Sequence, residues 1–147
     1  MELFVAGCSN SWTERATSCY VLNKHILFDC GEGTVKNIVK CLGQMAEKKV
    51  DHIFLTHFHA DHILGIAPYI AGLSTDKRQV EKITIVGGKG LKKIIRKIIK
   101  DHIYKGKSNL MKSLNIIEIK DFSKTIMVDD LVITPQKLNH GNFLDIG

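Results

Sequence analysis

Several protein classes are excluded by what the sequence lacks. No basic N-terminal segment leads into a long apolar one, and the longest apolar stretches, such as Ile63 to Leu73, are short and broken by Gly and Pro. The chain therefore reads as having no signal peptide and no transmembrane span, with a cytoplasmic location and no membrane partner as the expectation. It also has no C-x-x-C pair: Cys8, Cys19, Cys30 and Cys41 fall at even intervals, without the spacing of a zinc ribbon or redox motif. In a chain without an export signal these thiols are expected to stay reduced and to act as small buried hydrophobes. The G-x-x-x-x-G-K-[ST] spacing is absent too, so "GGKGLKK" is not a phosphate-binding P-loop. No repeat, low-complexity tract or linker interrupts residues 1–147, which are expected to form a single α/β unit.

What the chain does contain is ordinary in bulk and uneven in detail. With 44% hydrophobic and 24% charged residues it has a globular composition, and 147 residues suffice for one buried core. The 21 Lys and Arg against 15 Asp and Glu leave a net charge of +6, much of it in "GGKGLKKIIRKIIKDHIYKGK", Gly87 to Lys107. Such a stripe suits a polyanion such as RNA, and equally the solvated face of a helix.

Apolar patterning gives the element order. "MELFVAG" reads as a strand stopped by Gly7; Ser18–Leu22 and His25–Asp29 read as two strands joined by an Asn23-Lys24 turn. Val35, Ile38, Val39 and Leu42 recur at helical spacing, with Thr34 as the expected N-cap and Gly43 near the end. A strand over Val50–Thr56 enters a histidine cluster. The following "ILGIAPYIAGLS" reads as a helix bent or broken at Pro68. Strand "KITIVGG", a basic helix over Leu91–His102, strand "NIIEIK" and a hairpin of "TIMV" and "LVITPQKL" complete the alternation.

The cluster is "LTHFHADHILG", Leu55 to Gly65. His57 and His59, two apart on extended backbone, point to one side and can grip one metal ion. Asp61 and His62 follow as the chain turns into a helix and offer a carboxylate and a third imidazole. Four such groups do not serve one ion with that geometry, so the pattern asks for two adjacent metal positions. A single histidine is more often a packed or surface residue, and His25, His52 and His102, each isolated in sequence, are read that way. Crowded imidazoles at a strand end are different, because they repel when protonated and gain nothing from packing.

His57-x-His59-x-Asp61-His62 resembles the signature of the metallo-β-lactamase superfamily, and its surroundings resemble the ribonuclease Z branch. "FDCGEGT", "LTHFHADHILGI", "ITIVGGKGL" and "KLNHG" are similar to that branch's motifs in order along the chain. The resemblance implies an αββα sandwich, of which this chain is the N-terminal half. It implies two zinc ions, manganese or iron being the alternatives, with His57, His59 and His140 around one ion and Asp61 and His62 serving the second. Asp61 is the expected catalytic residue, orienting the attacking water, and Asp29 is expected to support the metal loop from behind. The implied activity is a metal-dependent phosphodiesterase that processes the 3′ end of tRNA precursors. Other hydrolases on the same scaffold, acting on esters, thioesters or cyclic nucleotides, form the alternative, and so does a catalytically silent metal-binding or RNA-binding module.

Two features depart from the branch. The loop "GCSNSWTERATS" lacks its Gly-Thr-Gly character and carries Trp12, which either stacks on a base or packs at the mouth of the fold. In the family a bridging aspartate and a further histidine come well downstream of His140, whereas Asp145 is too near it to serve as the bridge. A longer parent protein, a second chain or a homodimer that completes the site, or loss of catalysis would each account for this. An uncovered sheet face would favour association.

Overall fold

The computed structural model describes residues 1–43, 50–75, 83–102 and 114–137. Six strands form one sheet in chain order: β1 (Leu3–Gly7), β2 (Cys19–Leu22), β3 (Ile26–Phe28), β4 (His52–Phe54), β5 (Ile83–Gly87) and β6 (Leu114–Glu118). The first three run antiparallel; β3 through β6 are parallel, joined by crossovers that carry the helices. These are α1 (Thr34–Leu42), the single turn α2 (Ala60–Ile63), α3 (Ile66–Thr75) and α4 (Leu91–His102). A hairpin of β7 (Ile126–Val128) and β8 (Leu131–Ile133) makes a separate two-stranded sheet.

The two faces of the large sheet are covered unequally. On one, Val21, Leu27, Ile53 and Ile85 meet Ile38 of α1, Ile66 and Ile70 of α3, and Leu91 and Ile95 of α4, all of them fully buried or nearly so. On the other, Ile26, Phe54 and Val86 pack with Leu22, Phe28, Ile117 and Ile119 and against the hairpin, through Val128 with Ile126, Leu131 and Ile133. Leu3 and Val5 at the β1 edge and Met127 and Val132 on the hairpin stay exposed. This is a helix layer, a full sheet and the start of a second β layer.

Several details differ from the sequence reading, each for a local reason. Helix α1 is preceded by Gly33 in the left-handed region (φ 76), and Thr34 is its first residue instead of its cap. The Thr34 hydroxyl turns inward and donates to the Gly31 carbonyl at 2.7 Å. Pro68 does not bend a helix: α3 begins two residues earlier, so Pro68 lies in a first turn, where its missing N–H costs nothing. The break falls instead at Leu64–Gly65, between α2 and α3. Asn23 and Lys24 do form the turn, both with positive φ, and the His25 N–H donates to the Leu22 carbonyl. The basic helix keeps Lys92, Lys93, Arg96, Lys97 and Lys100 in solvent and buries its isoleucine face. Of the cysteines, Cys19 and Cys30 are buried, Cys41 is half-buried and Cys8 is exposed, with no disulfide among them. Burial pushes the Cys19 thiol well above the usual range and the Cys30 thiol up to about 12, so neither is a nucleophile.

Candidate metal centre

The centre lies where β3 and β4 release the chain. At the end of β3, Asp29 adopts φ 59 and is 3% exposed. A non-glycine residue in that region costs about 1 kcal/mol or more, so neighbouring bonds must hold it there. The Asp29 N–H donates to the Phe54 carbonyl at 2.8 Å, which pins it beside the end of β4. The bend sends the carboxylate under the histidine loop. Its Oδ1 accepts from the Thr56 N–H at 2.8 Å, its Oδ2 accepts from the His62 Nδ1–H at 2.7 Å, and the Thr56 hydroxyl lies 3.0 and 2.9 Å from the two oxygens.

These contacts set the tautomers of two imidazoles. The Thr56 hydroxyl gives its one proton to Asp29 and therefore accepts from His57 Nδ1, 3.0 Å away. His62 donates from Nδ1 directly to Asp29. Both rings thus carry their proton on Nδ1 and turn Nε2 away from Asp29, the arrangement that prepares an imidazole as a metal ligand. Thr56, with no role assigned by sequence reasoning, is the relay between Asp29 and His57. Its adjacency to the motif was the available signal.

The four ligand candidates within the described residues fall into two pairs. His57 Nε2 and His59 Nδ1 are 2.9 Å apart, their rings edge to face with centroids at 4.6 Å. His62 Nε2 is 3.5 Å from Asp61 Oδ2, and the His57 and His62 ring centroids are 4.0 Å apart, which joins the pairs. Each residue is half-buried, open on one side to solvent. The backbone explains the presentation. His59 is extended (φ −64, ψ 152) and its carbonyl accepts from the N–H groups of His62 and Ile63, so one helical turn lifts Asp61 and His62 beside it. His140 lies outside the described residues.

Close backbone packing fixes the loop from below. The Ser18 N–H donates to the Asp61 carbonyl at 3.0 Å, Cys30 donates to the His62 carbonyl at 2.9 Å, and Gly65 donates to the Cys30 carbonyl at 2.9 Å. A Cβ at Gly31 would run into the Asp61 carbonyl oxygen and the Thr17 hydroxyl, so the approach requires glycine. In the loop before β2, Trp12 is 97% exposed; it does not pack at the mouth of the fold. Asn10 and Thr13 shape that loop by accepting from the Trp12 and Arg15 N–H groups.

A donor set of three imidazoles and a carboxylate, two of the imidazoles already oriented, fits a divalent metal ion, and nitrogen and oxygen ligands of this kind suit zinc. A second cluster lies at the opposite end of the same strands. His25, Asp51 and His52 bring ligand-type atoms within 4.8 Å of one another. His25 and His52, apart in sequence, become neighbours because β3 pairs with β4, Ile26 opposite His52.

The sequence model of the metallo-beta-lactamase superfamily matches residues 12–134. The chain is 32% identical over 119 residues to ribonuclease Z of Macrococcus caseolyticus, covering 81% of this chain and 37% of that protein. It is 32% identical over 156 residues to ribonuclease Z of Alkaliphilus oremlandii, covering 95% of this chain and 47% of that protein. The chain thus spans less than half the length of these curated relatives. Among solved structures, human tRNase Z, short form, matches with a TM-score of 0.59 at 24% identity, over 83% of this chain and 48% of that one. No helix among the described residues is long and apolar enough to cross a membrane.

Proposed function

The chain belongs to the metallo-β-lactamase superfamily, and from that premise we propose that it is the metal-binding portion of a hydrolase that cleaves RNA phosphodiesters, with the 3′ trailer of tRNA precursors as its substrate. The observation that carries this reading is the network centred on Asp29, which orders His57 and His62 on a loop otherwise anchored by backbone contacts. His57, His59 and His140 would hold one zinc ion, Asp61 and His62 would contribute to the second, and the bound ions would supply Lewis acidity that activates water and offsets charge on the phosphodiester. Asp61 orients the water from its open position beside His62. Asp29 and Thr56 keep the imidazole protons on the inner side, and Trp12 offers a face on which a base can stack.

Groups that complete the second metal position would be supplied by further polypeptide or by a second chain. Exposed Leu3, Val5, Met127 and Val132 on the thinly covered side favour such association. In sedimentation the 147-residue chain is expected to associate; a stable monomer counts against a second copy. The decisive experiment measures zinc content and precursor-tRNA cleavage on this chain and on the full-length gene product, each with and without His59→Ala. We expect zinc in both, cleavage by the complete protein, and on substitution loss of cleavage together with loss of the zinc held by the His57–His62 loop. Zinc retained by the complete protein without phosphodiester cleavage would sink the tRNA reading and leave a silent metal-binding module or a hydrolase of small esters, which a substrate panel separates.

A further inference from the structure

The cluster at the opposite end of β3 and β4 is built on backbone as firmly held as that of the metal loop. His25 leads into β3, and its carbonyl accepts from the Asp51 N–H at 3.0 Å and the His52 N–H at 3.4 Å; the Asp51 carbonyl accepts from Thr84 at 2.9 Å. On this frame three ligand-type atoms converge. His25 Nδ1 lies 2.9 and 3.1 Å from the two Asp51 oxygens, and His52 Nδ1 lies 2.7 Å from the same Oδ1. The other nitrogen of His52, Nε2, lies 2.9 Å from Asp129 Oδ2, at the tip of the β7–β8 hairpin. Asp129 reaches this position with φ 52, and Asn23 and Lys24, both with positive φ, deliver His25.

This convergence demands positive charge. A neutral imidazole has one N–H, yet both nitrogens of His52 face carboxylates, and a second imidazole shares one of those carboxylates. Extra protons would put the charge on the His52 ring, whose side chain is only 8% exposed and which lies parallel to Phe54 (interplanar angle 6°, centroids 6.2 Å apart). A cation at the convergence point would instead sit on the open side, where the His25 and Asp51 side chains are 41% and 52% exposed and water can complete its coordination. His52 would then keep its proton on Nε2, donated to Asp129, and present the Nδ1 lone pair: the carboxylate–histidine–metal arrangement that raises ligand basicity and fixes ring orientation.

We infer that His25, Asp51 and His52 form a second, separate binding site for a divalent transition-metal cation of the zinc class, with Asp129 as the residue that positions His52. The ion would rivet the starts of β3 and β4 and, through His52 and Asp129, anchor the hairpin over the thinly covered face. The inference does not depend on the proposed RNA substrate.

The test is a titration of the metal-depleted 147-residue chain with cobalt(II) and zinc, read by visible absorption and by bound metal per chain, in a His59→Ala/His62→Ala background that disables the other centre. One ion per chain is expected to remain in that background. It should be lost on adding His25→Ala, a half-exposed position where truncation leaves the fold intact by circular dichroism. Asp129→Asn should retain the ion with affinity lowered about 10- to 100-fold, the usual effect of removing a ligand's hydrogen-bond partner. No ion bound in the His59→Ala/His62→Ala background, or binding unaffected by His25→Ala, overturns the site and leaves the cluster held by protons.

Discussion

Strands β3 and β4 carry histidine–carboxylate clusters at both ends, and the two are built to opposite plans. Where the strands finish, five of the residues involved lie in one run, Thr56 to His62, and a single buried carboxylate, Asp29, orders them from beneath. Where the strands begin, the partners come from separate segments, His25 and Asp51 being 26 residues apart in sequence and His52 and Asp129 77 apart. At the finishing end the carboxylate Asp29 is buried and the imidazoles are half-buried. At the starting end His52 is buried and Asp51 is half exposed. The first plan keeps its ordering carboxylate beneath the loop and its ligand nitrogens on the outer side. The second buries a histidine ring between two exposed carboxylates, so similar side chains acquire different tasks from which partner is buried.

The sharpest way to break the comparison is to disturb one end sterically. In Gly31→Ala the new methyl meets the Asp61 carbonyl and the Thr17 side chain, and overpacking of this kind costs about 1–3 kcal/mol. A lowered unfolding midpoint and loss of metal at His57–His62 are expected, with the ion at His25–His52 kept. Metal counting on the folded fraction checks this, and equal loss at both ends would show that the two clusters are one cooperative unit. Next in size is Asp29→Asn, which tolerates the left-handed backbone and keeps the volume but removes the charge that receives His62 and Thr56. Zinc affinity at the finishing end should fall about 10- to 100-fold in chelator competition. An unchanged affinity would mean that the loop's backbone anchors suffice.

How much of this was legible in the sequence follows from the same contrast. The strand and helix order came from apolar periodicity, and the metal loop from its spacing, because both signals are local. The missed features were non-local or conformational. The break at Leu64–Gly65 was misplaced to Pro68 because Pro reads as a breaker unless the helix start is known. The left-handed backbone of Asp29 and the Thr56 relay exist only once β3 lies beside β4. His25 and His52 looked isolated for the same reason: the β3–β4 register makes them neighbours. Asp129 lies between "TIMV" and "LVITPQKL", and only the hairpin's docking on the second face brings it to His52.

Two milder substitutions sharpen the comparison. Thr56→Val preserves shape and removes the hydroxyl through which Asp29 fixes the His57 tautomer, while His62 keeps its direct bond. Metal affinity should fall by roughly tenfold, the low end of such partner losses, and His62 should be the less affected ligand when the imidazole resonances are followed by NMR. No change in the His57 resonances would remove Thr56 from the relay.

The smallest effect is expected from Asp51→Asn in the absence of metal. Partial burial pushes the Asp51 carboxyl up, but hydrogen bonds from His52 and His25, together with the charge those rings can carry, outweigh it and hold the group below its ordinary value of 3.8. A carboxylate lowered on folding contributes stability that is present above its unfolded pKa and lost as pH falls through the folded one. Because the side chain is half exposed, solvent and salt screen the contribution. Urea midpoints measured from about pH 5 down to about pH 2 should therefore drop slightly more steeply for the native sequence than for Asp51→Asn. The difference should shrink at high salt, and parallel curves would mean that the cluster at the starting end adds nothing to the metal-free fold and acts only through a bound cation.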